Sequence, residues 1–542
     1  MQIDLLINEQ FRLDEEWSLG NIRKTPLQSQ MLKTHLIEWG GQSKAEYGLI
    51  WTDESKLPSQ EVITSLIKLE VDIAHSGLSS GIGNWWPDLA MISQNWSMIN
   101  APIDIPSTSW RLDLRHCLIK RSTWVGLMGI DPAYTTLEAA GLDLGYRALK
   151  LGAIVEHRPE LIPSDTQQID EPPAQDLYVF VYRHYGSKWT KYLCARRSLK
   201  NFQLIKERKA MLGAIRSCIE NPRPPMKPVE RSGNGSNAKV IEQVAISVIL
   251  PTLGRYDYLP RALESLRDQT VKPNEVIVID QNPKQKRKPE LYEPFTDLNL
   301  KIIWQDEQGQ SLARNTGLKH ARGEYVFLFD DDSIAYPDLI EQHLIPISNG
   351  PFDVSTGVAL PPPPTDYQLP DGFSYPRHAQ TFDTGNALLR KEVLLRLGGF
   401  DRHYDFGPGT DSDLGTRLYL SGYRILHNPR AIRLHFKAPS GGLRTHGAQK
   451  YNTDPGIFAP FPPVTRSYYG YRFLTRHQRR EIVFLTYVLN KYPGSERNSV
   501  TQKMNPVFIY LKILAMLLLL PLKRYRSEVK ARKYLKIGPR MM

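Results

Sequence analysis

The sequence predicts an α/β protein built around parallel strands, and three observations carry that reading. Short apolar runs rich in β-branched residues alternate with segments of helical period: VAISVILPT, YLPRALESLRDQT, EVIVID, KIIWQ, SLARNTGLKHARG and EYVFLF follow one another in the second half. Strands separated by helices in this way form a parallel sheet with crossover helices. The last strand runs straight into Asp330, Asp331 and Asp332, which puts carboxylates at the C-terminal edge where open α/β sheets bind ligands. The stretch Asn221–Lys239 is rich in Pro, Gly, Ser and Asn and nearly free of apolar side chains, so it reads as a linker dividing the chain near its middle.

With 542 residues the chain is long enough for several domains of roughly 100–200 residues each. A composition of 41% hydrophobic and 23% charged residues, with mean hydropathy -0.39, excludes a disordered chain and a multi-span membrane protein. The net charge of +12 raises nucleic acid, an anionic membrane or a phosphorylated substrate as partners. Its position chooses among them. Lys523, Arg524, Arg526, Lys530, Arg532, Lys533, Lys536 and Arg540 face the single acid Glu528, so about +7 of the charge lies in the last ~20 residues. Directly before that cluster runs NPVFIYLKILAMLLLLPL (Asn505–Leu522), short for the ~20 residues of a spanning helix and suited to an interfacial anchor on an anionic leaflet. The aromatic-interleaved groove of a nucleic-acid binder is missing, so no nucleic-acid partner is expected. The N-terminus lacks a basic region followed by an apolar core, so no secretory signal is expected. Cys117, Cys194 and Cys218 have neither CxxC spacing nor an even count, which fits reduced thiols in the cytoplasm.

Sliding the chain against itself by about 270 residues aligns Leu112–Pro159 with Phe382–Pro429 without a gap, giving about 13 identities in about 48 positions. Among them are Asp113 with Asp383, Gly129 with Gly399, Asp131 with Asp401, Tyr134 with Tyr404, Asp143 and Arg147 with Asp413 and Arg417, Gly152 with Gly422, and Pro159 with Pro429. Upstream, EYGLIWTDES resembles EYVFLFDDDS. The first half therefore reads as a diverged copy of the second. It differs where chemistry would sit: Thr52 and Glu54 stand opposite Asp330 and Asp332, and Gly141 opposite Asp411. Only ~45 residues precede its EY strand, too few for three strands, so an inactive, truncated repeat is expected.

Alternate positions such as 330 and 332 lie on one side of an extended backbone, so their carboxylates are placed to share one divalent ion, with oxygens suited to Mg²⁺ or Mn²⁺. A metal so held would neutralise a diphosphate leaving group. Asp411 and Asp413 both open a helical segment. The inactive copy retains the second as Asp143 but not the first, which assigns Asp413 to an N-cap and Asp411 to chemistry. His427 is matched by His157 and reads as structural.

Seven elements in order now point to a family: SVILPTLGR, LESLRDQT, VIVIDQN, GQSLARNTG, FLFDDDS, TGNALLRKEVLLRLGGFD and GTDSDLGTRLYLSGY. Over about Val244–Phe436 the second half resembles an inverting family 2 glycosyltransferase of the GT-A fold. That resemblance implies an α/β, GT-A (Rossmann-like) catalytic domain at 241–500, behind a degenerate, non-catalytic GT-A-like domain at 1–220 and a linker at 221–240, with an apolar helix and membrane-associating tail at 501–542. It implies donor contacts from Thr252, Asp280, Arg314, Asn315, Asp330 and Asp331, and a metal held by Asp332, Asp330 and His435. It also implies Asp411 as general base, with Thr410 standing where the family commonly has Glu. The donor it implies is a nucleoside-diphosphate sugar, UDP-linked first, with dTDP and GDP open. The expected acceptor is a glycan or polyprenyl-linked glycan at the cytoplasmic face of the membrane, in bacterial surface polysaccharide assembly. Related nucleotidyltransferases need a Gly-rich, Lys-containing loop after the first strand, and processive synthases need QxxRW and several spans; neither is present. A catalytically inactive carbohydrate-binding or scaffold protein of the same fold is the alternative. The proline-rich stretch at 361–378 is expected on the acceptor side, and SGGLRTHG at 440–447 as a segment closing over the donor.

Overall fold

The computed structural model describes residues 3–8, 23–27, 32–52, 57–86, 89, 96–162, 168–229, 244–362, 368–369, 372–442, 444, 459–489 and 506–542. Two sheets organise them. The first contains β1 (Ile3–Asn8), β2 (Arg23–Leu27), β3 (Tyr47–Trp51), β4 (Ile73–His75), β5 (Ser107–Thr108), β6 (His116–Lys120) and β7 (Val155–His157), in the order β2-β1-β3-β6-β4-β7-β5. The second contains β8 (Ile246–Thr252), β9 (Glu275–Asp280), β10 (Leu300–Trp304), β11 (Tyr325–Phe329), β12 (Ser333–Ala335), β13 (Val354–Leu360), β14 (Arg377–His378), β15 (Asn386–Arg390) and β16 (Ile425–His435), in the order β10-β9-β8-β11-β15-β13-β16-β12, with β14 also on β16.

Strand for strand, β2-β1-β3-β6-β4-β7-β5 corresponds to β9-β8-β11-β15-β13-β16-β14, with the same directions at every pairing. Two strands precede β3 in the first sheet, where three precede β11 in the second. The second sheet is not wholly parallel as its helix–strand alternation suggests: β10, β9, β8 and β11 run parallel, and β15 then pairs antiparallel to β11. Both faces of β8 are buried, with Val248 and Leu250 in one cluster and Ile249 in another, so the strand reads as a continuous apolar run.

Helices α1 (Leu32–Gln42), α2 (Gln60–Lys68), α3 (Arg121–Gly126), α4 (Leu137–Lys150), α5 (Ala174–Asn201) and α6 (Leu204–Glu220) belong to the first half. Helices α7 (Leu259–Arg267), α8 (Gln310–His320), α9 (Leu339–Ser348), α10 (Lys391–Arg396), α11 (Thr410–Leu420), α12 (Val464–Phe473), α13 (Arg476–Leu489) and α14 (Pro506–Ile537) belong to the second. On α4 and α11 the same ion pair recurs, Asp143 to Arg147 at 2.7 Å and Asp413 to Arg417 at 2.8 Å. Each arginine also donates to two carbonyls, Leu127 and Gly129 in one half and Leu397 and Gly399 in the other. His157 and His427 bond the carbonyls of Ile103 and Phe373.

Three expectations change. Asp413 is not an N-cap: Gly409 holds that position at φ 125°, and Asp413 is buried within α11 as the partner of Arg417 and Arg472. The start of the linker is anchored by charge where apolar burial is lacking, because Arg223 pairs with Asp131 and, at 2.8 Å, with Asp143. The rest of it, 230–243, lies outside the described residues, as does Glu54. The basic tail is docked: Lys523, Ser527 and Ala531 are buried, and beyond α14 the Met542 N–H bonds the Gly398 carbonyl at 2.9 Å. Among the described residues no helix is long and apolar enough to cross a membrane.

Candidate active site

A cleft of about 390 Å³ opens at the C-terminal ends of β8, β9 and β11, within the size range of small-molecule sites. Its lining includes Thr252, Arg255, Arg314, Asp330, Asp331, Asp332, Asp383, Thr384, Asp411, Arg433, His435 and Arg444. Strand pairing builds its acidic end. Ser333 on β12 lies opposite His435 on β16, which brings the imidazole to Asp332 at 3.4 Å. One ligand atom each from Asp330, Asp332 and His435 lie within 4.8 Å of one another. Buried Asp332 Oδ1 makes no hydrogen bond of good geometry, with Arg255 Nη1 at 3.1 Å as its cationic neighbour. An orphaned carboxylate oxygen facing a second carboxylate and a neutral-capable imidazole is a donor set that fits a hard divalent cation.

The three aspartates differ electrically. Burial works to raise the Asp330 carboxyl, but Arg433 at 3.0 Å and Arg314 at 3.1 Å outweigh it and hold it below the usual range. Asp331 is pushed up to about 6 by burial, against the opposing charge of Arg255 at 2.9 Å. Burial opposes ionisation of Asp332 as well, and the adjacent His435 and Arg255 outweigh it and keep the carboxyl low.

Asp411, at the second position of α11, lines the same cleft. Its carboxylate accepts from the Thr384 N–H at 3.2 Å and from the Thr384 hydroxyl. Desolvation by the surrounding cleft raises its pKa, and the nearby negative charge of Asp383 raises it further. Asp383 is itself held by Arg433, whose guanidinium bridges it to Asp330. A raised carboxyl accepts a proton more readily than an aspartate at its ordinary pKa, as a general base requires.

Two expected donor residues lie off the cleft lining. Asn315 neighbours Arg314 on α8 and so points about 100° away from it. Its side chain bonds both the N–H and the carbonyl of Phe400, each at 2.8 Å, which fixes the Gly398–Gly399 turn. Asp280 is fully buried, and its oxygens accept from the Tyr256 and Tyr292 hydroxyls and from the Asn282 N–H and amide. Arg255, Asp383 and Arg433 join the cleft only through the fold. Arg433 was within reach of the sequence, since it sits two positions from His435 on one strand face. Of the glycine segment, Ser440–Gly442 and Arg444 are described; the Gly442 N–H bonds the Leu253 carbonyl at 2.8 Å, beside the cleft. Residues 443 and 445–447, and 363–367 and 370–371 of the proline-rich stretch, lie outside the described residues.

The cleft and its carboxylate cluster thus lie at the ligand-binding edge of an α/β sheet. Residues 247–397 match the profile of Glycosyl transferase family 2, and the second half of this chain carries a family 2 glycosyltransferase domain. Among curated relatives, the glycosyltransferase EpsH of Bacillus subtilis is 33% identical over 106 residues, covering 19% of this chain and 30% of that protein. The glycosyltransferase AglE of Haloferax volcanii is 26% identical over 218 residues, covering 36% of this chain and 69% of its own length. The glucosyl-dolichyl phosphate glucuronosyltransferase of the same organism is 27% identical over 217 residues, covering 35% and 67%. The chain thus spans less than a third of the first of these relatives. Among solved structures, the Pyrobaculum calidifontis mannosyltransferase PcManGT with GDP-Man and Mn²⁺ aligns at 18% identity and TM-score 0.34, over 54% of this chain and 86% of that one.

Proposed function

We propose that the second half transfers one sugar from a nucleoside-diphosphate sugar, UDP-linked first, to a hydroxyl of a glycan or polyprenyl-linked glycan, with inversion at the anomeric carbon. The observation that carries this reading is Asp411: a carboxylate with a raised pKa that lines the same cleft as Asp330, Asp332 and His435. In a single displacement the acceptor oxygen bonds to the anomeric carbon while the bond to the diphosphate breaks, the hydroxyl proton passes to an Asp411 oxygen, and the nucleoside diphosphate leaves. A divalent cation, Mn²⁺ or Mg²⁺, held by Asp332, Asp330 and His435 would neutralise the leaving diphosphate. Thr252, Arg314 and Asp331 line the donor side. Asp280 joins them only if its tyrosine partners yield, and Asn315 acts by holding the Phe400 turn.

The first half we read as a non-catalytic copy. In support, Thr52 stands where Asp330 does, and a Cβ on Gly141, the counterpart of Asp411, would lie 2.7 Å from the Leu112 carbonyl oxygen. Attachment to the inner face of an anionic membrane is supported by α14, whose outer side exposes Leu522 and Tyr525 among Arg526, Lys530 and Lys533. That address and the dolichyl phosphate in one relative's name favour a lipid-linked acceptor, and with it a part in bacterial surface polysaccharide assembly. The test is nucleotide release from a panel of UDP-, dTDP- and GDP-sugars, with purified protein and then with membrane extract. Release from none of them, with the wild type and Asp411→Asn indistinguishable, would favour the inactive carbohydrate-binding alternative.

A further inference from the structure

Helices α5 and α6 form an antiparallel hairpin whose turn projects from the first half. At that turn Phe202 is 93% exposed and Ile205 85%, with Leu199 and Leu204 exposed beside them. Phe202 also adopts φ 53°, a left-handed conformation that costs a bulky residue energy. The chemistry around it is one-signed. Ser187–Ile219 contains nine basic residues and one acid, Glu207. Glu207 is buried, accepting from Tyr178, Arg197 and Asn201, where it ties the two helices together close to the turn. Every charge left exposed at the tip, on Lys200, Lys206, Arg208 and Lys209, is therefore positive. The positive charge of this protein is thus not confined to its C-terminal tail.

We propose that the α5–α6 turn is a second membrane contact, with Phe202, Leu204 and Ile205 entering the headgroup boundary of an anionic bilayer and the flanking lysines and arginine meeting lipid phosphates. Apolar side chains ringed by cations match an anionic lipid surface in both respects. A second copy of the chain fits less well, because four side chains on a convex turn fall short of the ~800 Å² per partner of a standard interface. Nearby, Arg196 of α5 pairs with Glu481 of α13 at 2.7 Å, so the hairpin is fastened to the catalytic half and would fix how the cleft faces the membrane. The inference rests on the membrane attachment proposed above, and its own observations lie at a site apart from α14.

The native cysteines are all buried, so an environment-sensitive fluorophore can be placed on the full chain at Phe202→Cys and, as a control, at exposed Leu395→Cys. With vesicles of phosphatidylglycerol and phosphatidylcholine the label at 202 should shift to the blue and brighten several-fold. It should not respond to pure phosphatidylcholine, and the label at 395 should respond to neither. Lys206→Glu with Lys209→Glu should weaken vesicle binding about tenfold or more while nucleotide release in solution stays unchanged. Vesicle flotation without a signal at 202 overturns the inference and leaves the tail as the anchor. Equal signals at 202 and 395, or a signal that follows protein concentration without vesicles, overturn it in favour of adsorption or self-association.

Discussion

Gly152 of the first half packs on the main chain of Pro376 in the second, so closely that a Cβ there would lie 2.6 Å from the Pro376 carbonyl oxygen. Its counterpart Gly422 packs in the same way on Pro106, at 2.4 Å from that carbonyl oxygen. The two contacts exchange equivalent partners, as in a two-fold dimer, with a single chain supplying both sides. A backbone carbonyl cannot swing aside as a side chain can, and the glycines have φ of 92° and 82°. Gly152→Ala and Gly422→Ala should each destabilise the protein by about 1–3 kcal/mol through overpacking and backbone strain, read as a lower denaturant midpoint.

Asp411→Asn should leave donor KM within a few-fold and cut kcat by about 10²–10⁴, the usual worth of a positioned base. The base must be ionised, so kcat should rise with pH along an acid limb whose midpoint lies above the ordinary aspartate value, since desolvation and Asp383 raise this carboxyl. Asp383→Asn removes a neighbouring negative charge and should move that limb to lower pH. An unshifted limb would detach Asp383 from the base.

Chelation by EDTA should abolish nucleotide release, and added Mn²⁺ or Mg²⁺ should restore it. Asp332→Ala and His435→Ala should raise the metal concentration needed for half-maximal rate by about tenfold or more, whereas a residue outside the ligand set would leave it unchanged.

Asp413 and Asp143 each hold an arginine that is itself bonded to two carbonyls. Replacing either aspartate with alanine strands a buried guanidinium and should cost about 3–5 kcal/mol, measured by equilibrium unfolding. Asp143→Ala should do so with kcat changed little, because no described residue of its half lines the cleft.

Much of this was legible in one dimension. Periodicity marked the strands β8, β9, β10 and β11, and the retention of Asp143 beside the loss of Asp411's counterpart separated a fold-keeping carboxylate from a cleft-facing one. The same comparison misjudged what Asp413 does, because an aspartate at a helix start reads as a cap whether or not a buried arginine waits four residues on.

Residue types, their spacing and the internal likeness of the halves are local or linear properties, and the sequence alone determined them: the α/β class, the Asp330–Asp332 cluster, Asp411, His435 and the basic tail. Which groups meet depends on distances between segments far apart in the chain, and only the tertiary structure decided those. It turned Asn315 onto Phe400, closed two tyrosines over Asp280, set Arg433 between Asp330 and Asp383, and docked the tail. It also left Phe202 and Ile205 bare at a hairpin turn, since apolar periodicity says that a helix face is buried but not where its partner ends.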